Sequence, residues 1–105
     1  MRESNMADTM TKQPCVYMLA SEPNGTLYIG VTSNLQQRLW QHQAGVVEGF
    51  TKRYGVTRLV WYEPHETMES AIVRERQMKK WKRAWKAREI ARRNPQWKDL
   101  SSEII

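Results

Sequence analysis

Cys15-Val16-Tyr17-Met18-Leu19-Ala20 and, after a turn, Thr26-Leu27-Tyr28-Ile29-Gly30-Val31 form the stretch on which the fold of this chain turns. Both halves are rich in β-branched, aromatic and other apolar residues, which suit a pleated, buried surface. Pro14 opens the first strand, read as 14–20, because proline is tolerated where a strand begins. The return strand is read as 26–31, with Leu27, Ile29 and Val31 on one face and Tyr28 on the other, as the two-residue period requires. Asn24-Gly25 is a strong short hairpin signal. With those two residues at the centre of the turn, Pro23 stands opposite Thr26, and Tyr17 and Tyr28 point to the same face, offset along it. A one-residue slip would place them on opposite faces. A turn that takes in more of Ser21–Gly25 is the alternative.

Downstream, Thr32-Ser33-Asn34 supplies N-cap residues for a helix over 35–43. Leu35 and Leu39 face inward, and Arg38 and His42, also four apart, are neighbours on the flank of that stripe. Gly45 ends the helix, and 46–56 reads as a loop carrying Lys52, Arg53 and Tyr54. Leu59 to Tyr62 make a third strand, closed by Pro64. A second helix is predicted over 68–83, ~24 Å long at 1.5 Å per residue, and a third over 85–93, stopped at Asn94-Pro95. The order β-β-α-β-α-α predicts an α+β domain, a three-stranded, mainly antiparallel sheet flanked by helices.

With 105 residues, one domain is expected. It is read as 13–100, with a flexible tail over 1–12 and a short C-terminal tail over 101–105. The single cysteine has no internal disulfide partner, and no Cys/His set has zinc spacing. No stretch is apolar for the ~18 residues of a membrane span. The first dozen residues lack the apolar segment of a secretory signal, so a cytoplasmic location is expected. The net charge is +6 and the pI about 9.8. From Arg74 to Lys98 there are eleven Lys and Arg against two acids, Glu75 and Glu89. Such a run is most often a solvated helix face; it also suits a phosphate-binding surface.

Glu75 is the most informative residue. Met68, Ala71, Ile72 and Met78 lie within about 60° of one direction on the second helix, and Glu75 sits at the centre of their stripe. A carboxylate there requires a partner. Lys79 or Lys82 supplies one reading. The other is a ligand for Mg²⁺ or Mn²⁺, hard ions that take carboxylate oxygen and keep several waters. Arg38 and His42 are ordinary exposed helix residues on one reading. On the other, the planar fork of Arg38 grips a phosphate and His42 transfers a proton or binds phosphate. Tyr17 and Tyr28 are most often core aromatics, yet a phenol beside a metal or cation becomes a serviceable base.

The order Tyr17, Tyr28-Ile29-Gly30, Arg38, His42, Glu75 resembles the GIY-YIG nuclease family. Cys15-Val16-Tyr17 occupies the first motif, with cysteine in place of its glycine, and Tyr28-Ile29-Gly30 matches the second in full. The resemblance covers about residues 14–100. It is nearest to small stand-alone bacterial members that end in an Asn-Pro-x-Trp-x-Asp-Leu segment, here Asn94 to Leu100. It implies a divalent-metal-dependent endonuclease acting on DNA; stand-alone relatives include enzymes that prefer single strands, so single-stranded or branched DNA is the expected substrate, and a minimal domain with a basic surface, binding through phosphates, is expected to read little sequence. Tyr17 or Tyr28 would assist deprotonation of the attacking water, Arg38 would bind the scissile phosphate, and Glu75 would hold Mg²⁺ or Mn²⁺. Asn94 is a weaker match to a late asparagine of the family. Where some members carry a lysine after the second motif, this chain has Val31, which leaves His42, Lys52 or the metal to take the proton. Lys52, Arg53, Tyr54, Lys79, Lys82 and Asn94 are the candidate nucleic-acid contacts. Among the aromatics, Phe50 and Tyr54 are better candidates for stacking on unpaired bases than Trp81 and Trp85, which are expected in the core. A non-catalytic nucleic-acid-binding module, or a nuclease subunit that needs a protein partner for recognition, is the alternative.

Overall fold

Strand β1 (Cys15–Ala20) is buried at all six positions, which explains its unbroken apolar run: it is the central strand and both its faces are covered. In the computed structural model, which describes residues 13–46 and 49–104, β1 pairs antiparallel with β2 (Leu27–Thr32) on one side and β3 (Arg58–Pro64) on the other. The sheet order is β2-β1-β3. The helices are α1 (Leu35–Gln43), α2 (Phe50–Tyr54), α3 (Met68–Lys79), α4 (Arg83–Arg93) and α5 (Ser101–Ile104). The predicted α+β class and the three-stranded antiparallel sheet are observed. The proposed tail over 1–12 lies outside the described residues.

The hairpin turn is longer than the two-residue turn expected at Asn24-Gly25. Ser21 N donates to Thr26 O at 3.0 Å and Gly25 N to Glu22 O at 2.9 Å. The loop is therefore Glu22–Gly25, and Asn24 takes the positive φ, +60°, which asparagine tolerates. Tyr17 pairs with Gly30 and Leu19 with Tyr28. This register differs from the predicted one by two residues, an even number, so the two tyrosines still share a face. A bulge between Met18 and Leu19 re-aligns β1 with β3, so that Met18 faces Trp61 and Leu19 faces Leu59.

The sheet separates two cores. Cys15, Tyr17 and Leu19 pack with Leu35 and Leu39 of α1 and with Val56 and Leu59. On the opposite face Val16, Met18, Ala20 and Ile29 pack with Ala71 and Met78 of α3 and Ile90 of α4. Helix α1 begins where expected, with Asn34 Oδ1 accepting from Gln37 N at 3.1 Å, and Thr67 caps α3 through Ser70 N at 3.1 Å. The long second helix predicted over 68–83 ends at Lys79 instead. Trp81 N closes onto Met78 O, Trp81 packs against the α3-side core, and Lys82 is extended before α4 restarts. The break brings an aromatic ring onto the core at a point dense in lysine, where helical continuation would have stacked like charges.

The C-terminal segment closes the outer edge of β3. Leu100 N donates to Leu59 O at 2.7 Å and Leu59 N to Asp99 Oδ1 at 3.3 Å. Asn94 is buried; its Nδ2 donates to Val60 O at 3.1 Å and Lys98 O at 2.9 Å, while Oδ1 accepts from Lys98 N at 3.0 Å. Residues 101–104, read as a tail, form α5, where Ser101 Oγ accepts from Gln43 of α1 at 3.0 Å.

Two stability predictions follow from this packing. A Cβ on Gly30 would lie 2.5 Å from both Cζ and the hydroxyl of Tyr17, whose side chain has no room to retreat. Gly30→Ala should cost about 1–3 kcal/mol, the scale of overpacking a core, and should break the nuclear Overhauser contacts between the Tyr17 and His42 rings. Unchanged thermal unfolding with those contacts intact would refute the close-approach argument. Asn94→Ala leaves three backbone groups, of Val60 and Lys98, without their partner and should cost about 2–3 kcal/mol, read by urea unfolding; a loss below about 0.5 kcal/mol would show that the segment is not held by this amide.

Candidate active site

Three of the residues expected in the site, Tyr17, Tyr28 and His42, gather beside β2, an edge strand. Gly30 has no side chain, and the ring of its cross-strand partner Tyr17 lies over it. That puts the Tyr17 hydroxyl 3.2 Å from His42 Nε2 on α1. His42 is also buried, and its Nδ1 lies 3.0 Å from Thr51 Oγ1 on α2. Tyr28, partly exposed, completes the cluster. Ring centroids are 6.2 Å apart for Tyr17 and Tyr28, 6.0 Å for Tyr17 and His42, and 5.7 Å for Tyr28 and His42.

Burial dominates the protonation chemistry. It pushes the Tyr17 phenol well above the ordinary phenol range; the nearby Tyr28 hydroxyl adds to this, and the Arg38 guanidinium opposes it. Burial also lowers the His42 pKa, and the positive charge of Arg38 lowers it further. Near neutral pH the pair is therefore a phenol and a neutral imidazole, and in either tautomer His42 links Tyr17 to Thr51. Arg38, one turn before His42, acts electrostatically on both. Cys15 is no nucleophile: burial is the main cause that pushes its thiol up to about 11.

Glu75 is on the inward side of α3, as its place in the apolar stripe predicts, with only 12% of its side chain exposed. Helix α3 packs through Ala71 and Met78 on the sheet face opposite Tyr17. The partner of Glu75 is Lys79, with Nζ 2.8 Å from Oε2, the first of the two pairings that spacing suggests. Lys79 is 55% exposed, so this is a solvated i,i+4 pair of small net value. Among the described residues no three His, Cys, Asp or Glu side chains gather as a metal-binding group. The donor set near Glu75 fits a Mg²⁺- or Mn²⁺-like ion that retains its waters and shares a substrate phosphate, since one carboxylate suffices there; it does not fit a fully caged metal.

Of the candidate nucleic-acid contacts, Lys52, Arg53 and Tyr54 are exposed on α2, and Lys79 and Lys82 are exposed at the α3–α4 junction. Asn94 stands apart, buried and bonded to backbone at β3. Trp85, expected in the core, is half exposed, its ring edge-on to Trp81; Trp81 is partly buried under the guanidinium of Arg74, 5.2 Å from its ring centroid. Thr51 is the residue that sequence reasoning missed. It lies nine positions beyond His42, and nothing in its neighbourhood marks it except that it is the one small polar residue between Phe50 and Lys52 able to turn inward.

The lowered pKa of His42 makes stability depend on pH. The unfolded chain, with His42 near 6.5, binds the proton more readily than the folded one, so the stabilising contribution is complete above that value. It is lost as pH falls from 6.5 through the depressed folded pKa. An NMR titration should place the His42 midpoint below 6.5, and the rise in unfolding free energy between about pH 5.5 and 7 should flatten in His42→Gln. A midpoint at or above the ordinary value would contradict the buried neutral imidazole.

A sequence model described as the GIY-YIG catalytic domain matches residues 13–89. A UPF0213 protein of Natronomonas pharaonis is 34% identical over 76 residues, covering 72% of this chain and 88% of the relative. A UPF0213 protein of Clostridium perfringens is 32% identical over 89 residues, covering 85% of this chain and 95% of the relative. The solution NMR structure of a UPF0213 protein from Bacillus halodurans shares the fold, with a TM-score of 0.53 and 24% identity over 84% of this chain and 93% of that one. The two tyrosines, the Tyr-Ile-Gly strand and the helix bearing Arg38 and His42 all lie inside the matched span, and the chain belongs to the GIY-YIG family.

Proposed function

We propose that this protein is a divalent-metal-dependent endonuclease that hydrolyses DNA phosphodiester bonds in the cytoplasm, preferring single-stranded or branched DNA and reading little sequence. The observation that carries this is the meeting of Tyr17, Tyr28 and His42 beside edge strand β2, with the charge of Arg38 acting on the cluster. Arg38 takes the scissile phosphate, matching its oxygens with a planar fork and stabilising the charge that builds on them. Tyr28, the more exposed phenol, is the one that meets the attacking water. Tyr17 stays protonated and holds the orientation of His42, which Thr51 fixes from the other side. Glu75 would hold the ion, with Lys79 released to solvent or to a phosphate; when bound, such an ion neutralises the phosphate and supports the leaving oxygen. Lys52, Arg53, Lys79 and Lys82 contribute sequence-independent contacts to the strand.

Helix α3, which carries Glu75, packs on the sheet face opposite the tyrosines, and β2 is an edge strand. A phosphate seated at that edge is reachable from both faces. The Glu75–Lys79 pair favours a second reading, a nucleic-acid-binding module without turnover, or a subunit completed by a protein partner.

End-labelled oligonucleotides incubated with purified protein and Mg²⁺, Mn²⁺ or EDTA decide between them. The wild type should cut only with metal, Glu75→Ala should not cut yet should bind at least as well, and Arg38→Ala should turn over ~10²–10³-fold more slowly. Cutting that survives Glu75→Ala would remove the metal assignment; binding without cutting would move the protein to the second reading.

A further inference from the structure

The aromatic cluster does not stop at Tyr28. The Phe50 ring lies against it with centroids 6.4 Å apart and an interplanar angle of 26°, and Tyr54 follows at 4.8 Å from Phe50. Phe50 and Tyr54 are one helical turn apart on α2, so they share a face. They are 44% and 52% exposed, and neither belongs to the core on that side of the sheet. The fold therefore keeps two large rings in water, in line with the candidate active site. Helix α2 itself is held: Thr51 is turned inward onto His42, Val56 is buried just beyond the helix, and Gly55, at φ +64°, ends it. Lys52 and Arg53 are exposed on the same turn.

We propose that Phe50 and Tyr54 are a base-stacking platform that receives one or two unpaired nucleotides of single-stranded DNA next to the phosphate held at the active site. Each base has an apolar π-face that stacks on an aromatic ring whatever its identity. In a duplex those faces are covered by neighbouring base pairs, so the platform engages a single strand and gains nothing from a duplex. The basic residues beside the rings fit the polyanionic backbone of such a strand. Because Thr51 couples α2 to His42, the platform is fixed relative to the tyrosines and sets which phosphate reaches Arg38. The purpose assigned to the platform rests on the endonuclease reading; its binding chemistry does not.

The test measures affinity for a single-stranded oligonucleotide and for its duplex, in EDTA so that metal-dependent cutting is absent. Phe50→Ala with Tyr54→Ala should weaken single-strand binding about 10- to 100-fold and duplex binding less than about twofold. Phe50→Trp should retain single-strand binding, whereas Phe50→Leu, apolar but without a π-face, should not. Tyr54→Ala alone, at an exposed position, should show the same selective loss should the double variant fold poorly. With Mg²⁺ or Mn²⁺, the preference of cleavage for single strand over duplex should fall towards parity in the double variant. Equal losses on both forms, or no loss, would overturn the platform. Selective binding that behaves as described in a protein that never cuts would keep the platform and reject the endonuclease reading; metal-dependent cutting with an unaltered strand preference would do the reverse.

Discussion

The buried phenol of Tyr17 laid across Gly30 is the contact on which the rest depends. A side chain at position 30 would collide with that ring, so the glycine belongs to the site although it carries no chemistry. The same contact ties the hairpin register to function. It pairs Tyr17 with Gly30 and Leu19 with Tyr28, which brings the tyrosines to one face as diagonal neighbours. With the ring lying over the opposite strand, its hydroxyl reaches His42. Cys15, where the first motif of the family carries glycine, is two residues away on the same face and buried; it has no part in this close approach.

Burial gives the two tyrosines different roles. Tyr17 is almost fully covered, and removing its phenolate from water makes ionisation costly. It is suited to hold a hydrogen bond and poorly suited to take a proton. Tyr28 is partly exposed and borders both the cluster and the exposed ring of Phe50. His42 is lowered in pKa by burial and by Arg38, so it stays neutral where an exposed histidine would be partly charged. A neutral link between Tyr17 and Thr51 leaves Arg38 as the positive charge acting on the cluster from α1, on the side where a phosphate is proposed to bind.

Much of this was legible in the sequence because it rests on short-range pattern. The strand at β1, the capped α1 and the place of Glu75 on the inward side of α3 all come from propensity, periodicity and end signals. The sheet face shared by the tyrosines is the same with the longer of the two turns the sequence left open, since parity and not turn length decides it. What was not legible depends on contacts made across the chain. The helix break at Lys80–Lys82 answers to the packing of Trp81, and α5 is held to α1 through Gln43 and Ser101. Thr51 meets His42 only because a turn returns α2 to α1. That α3 packs on the face opposite Tyr17 was invisible too: a helical stripe shows that a residue points inward, not which face of the sheet it meets.

The Asn94–Leu100 segment explains why the site is where it is. A bare strand edge offers unpaired backbone groups to any partner, and this sheet has two edges. At β3 the segment seals that edge: Leu100 N takes Leu59 O, Asp99 takes Leu59 N, and Asn94 takes Val60 O. Arg93 adds a bond to Tyr62 O. The amide of Asn94, a weak candidate for chemistry from its sequence position, is thus committed to architecture. At β2 no further strand pairs with the outer side among the described residues, and the Tyr28, Arg38 and His42 side chains stand on one of its flanks with α3 on the other. Closing one edge and leaving the second next to the reactive groups gives a three-stranded sheet a single direction of approach. A domain this small has no separate recognition unit in the described residues, and the open edge is where the proposed substrate strand would be positioned without one.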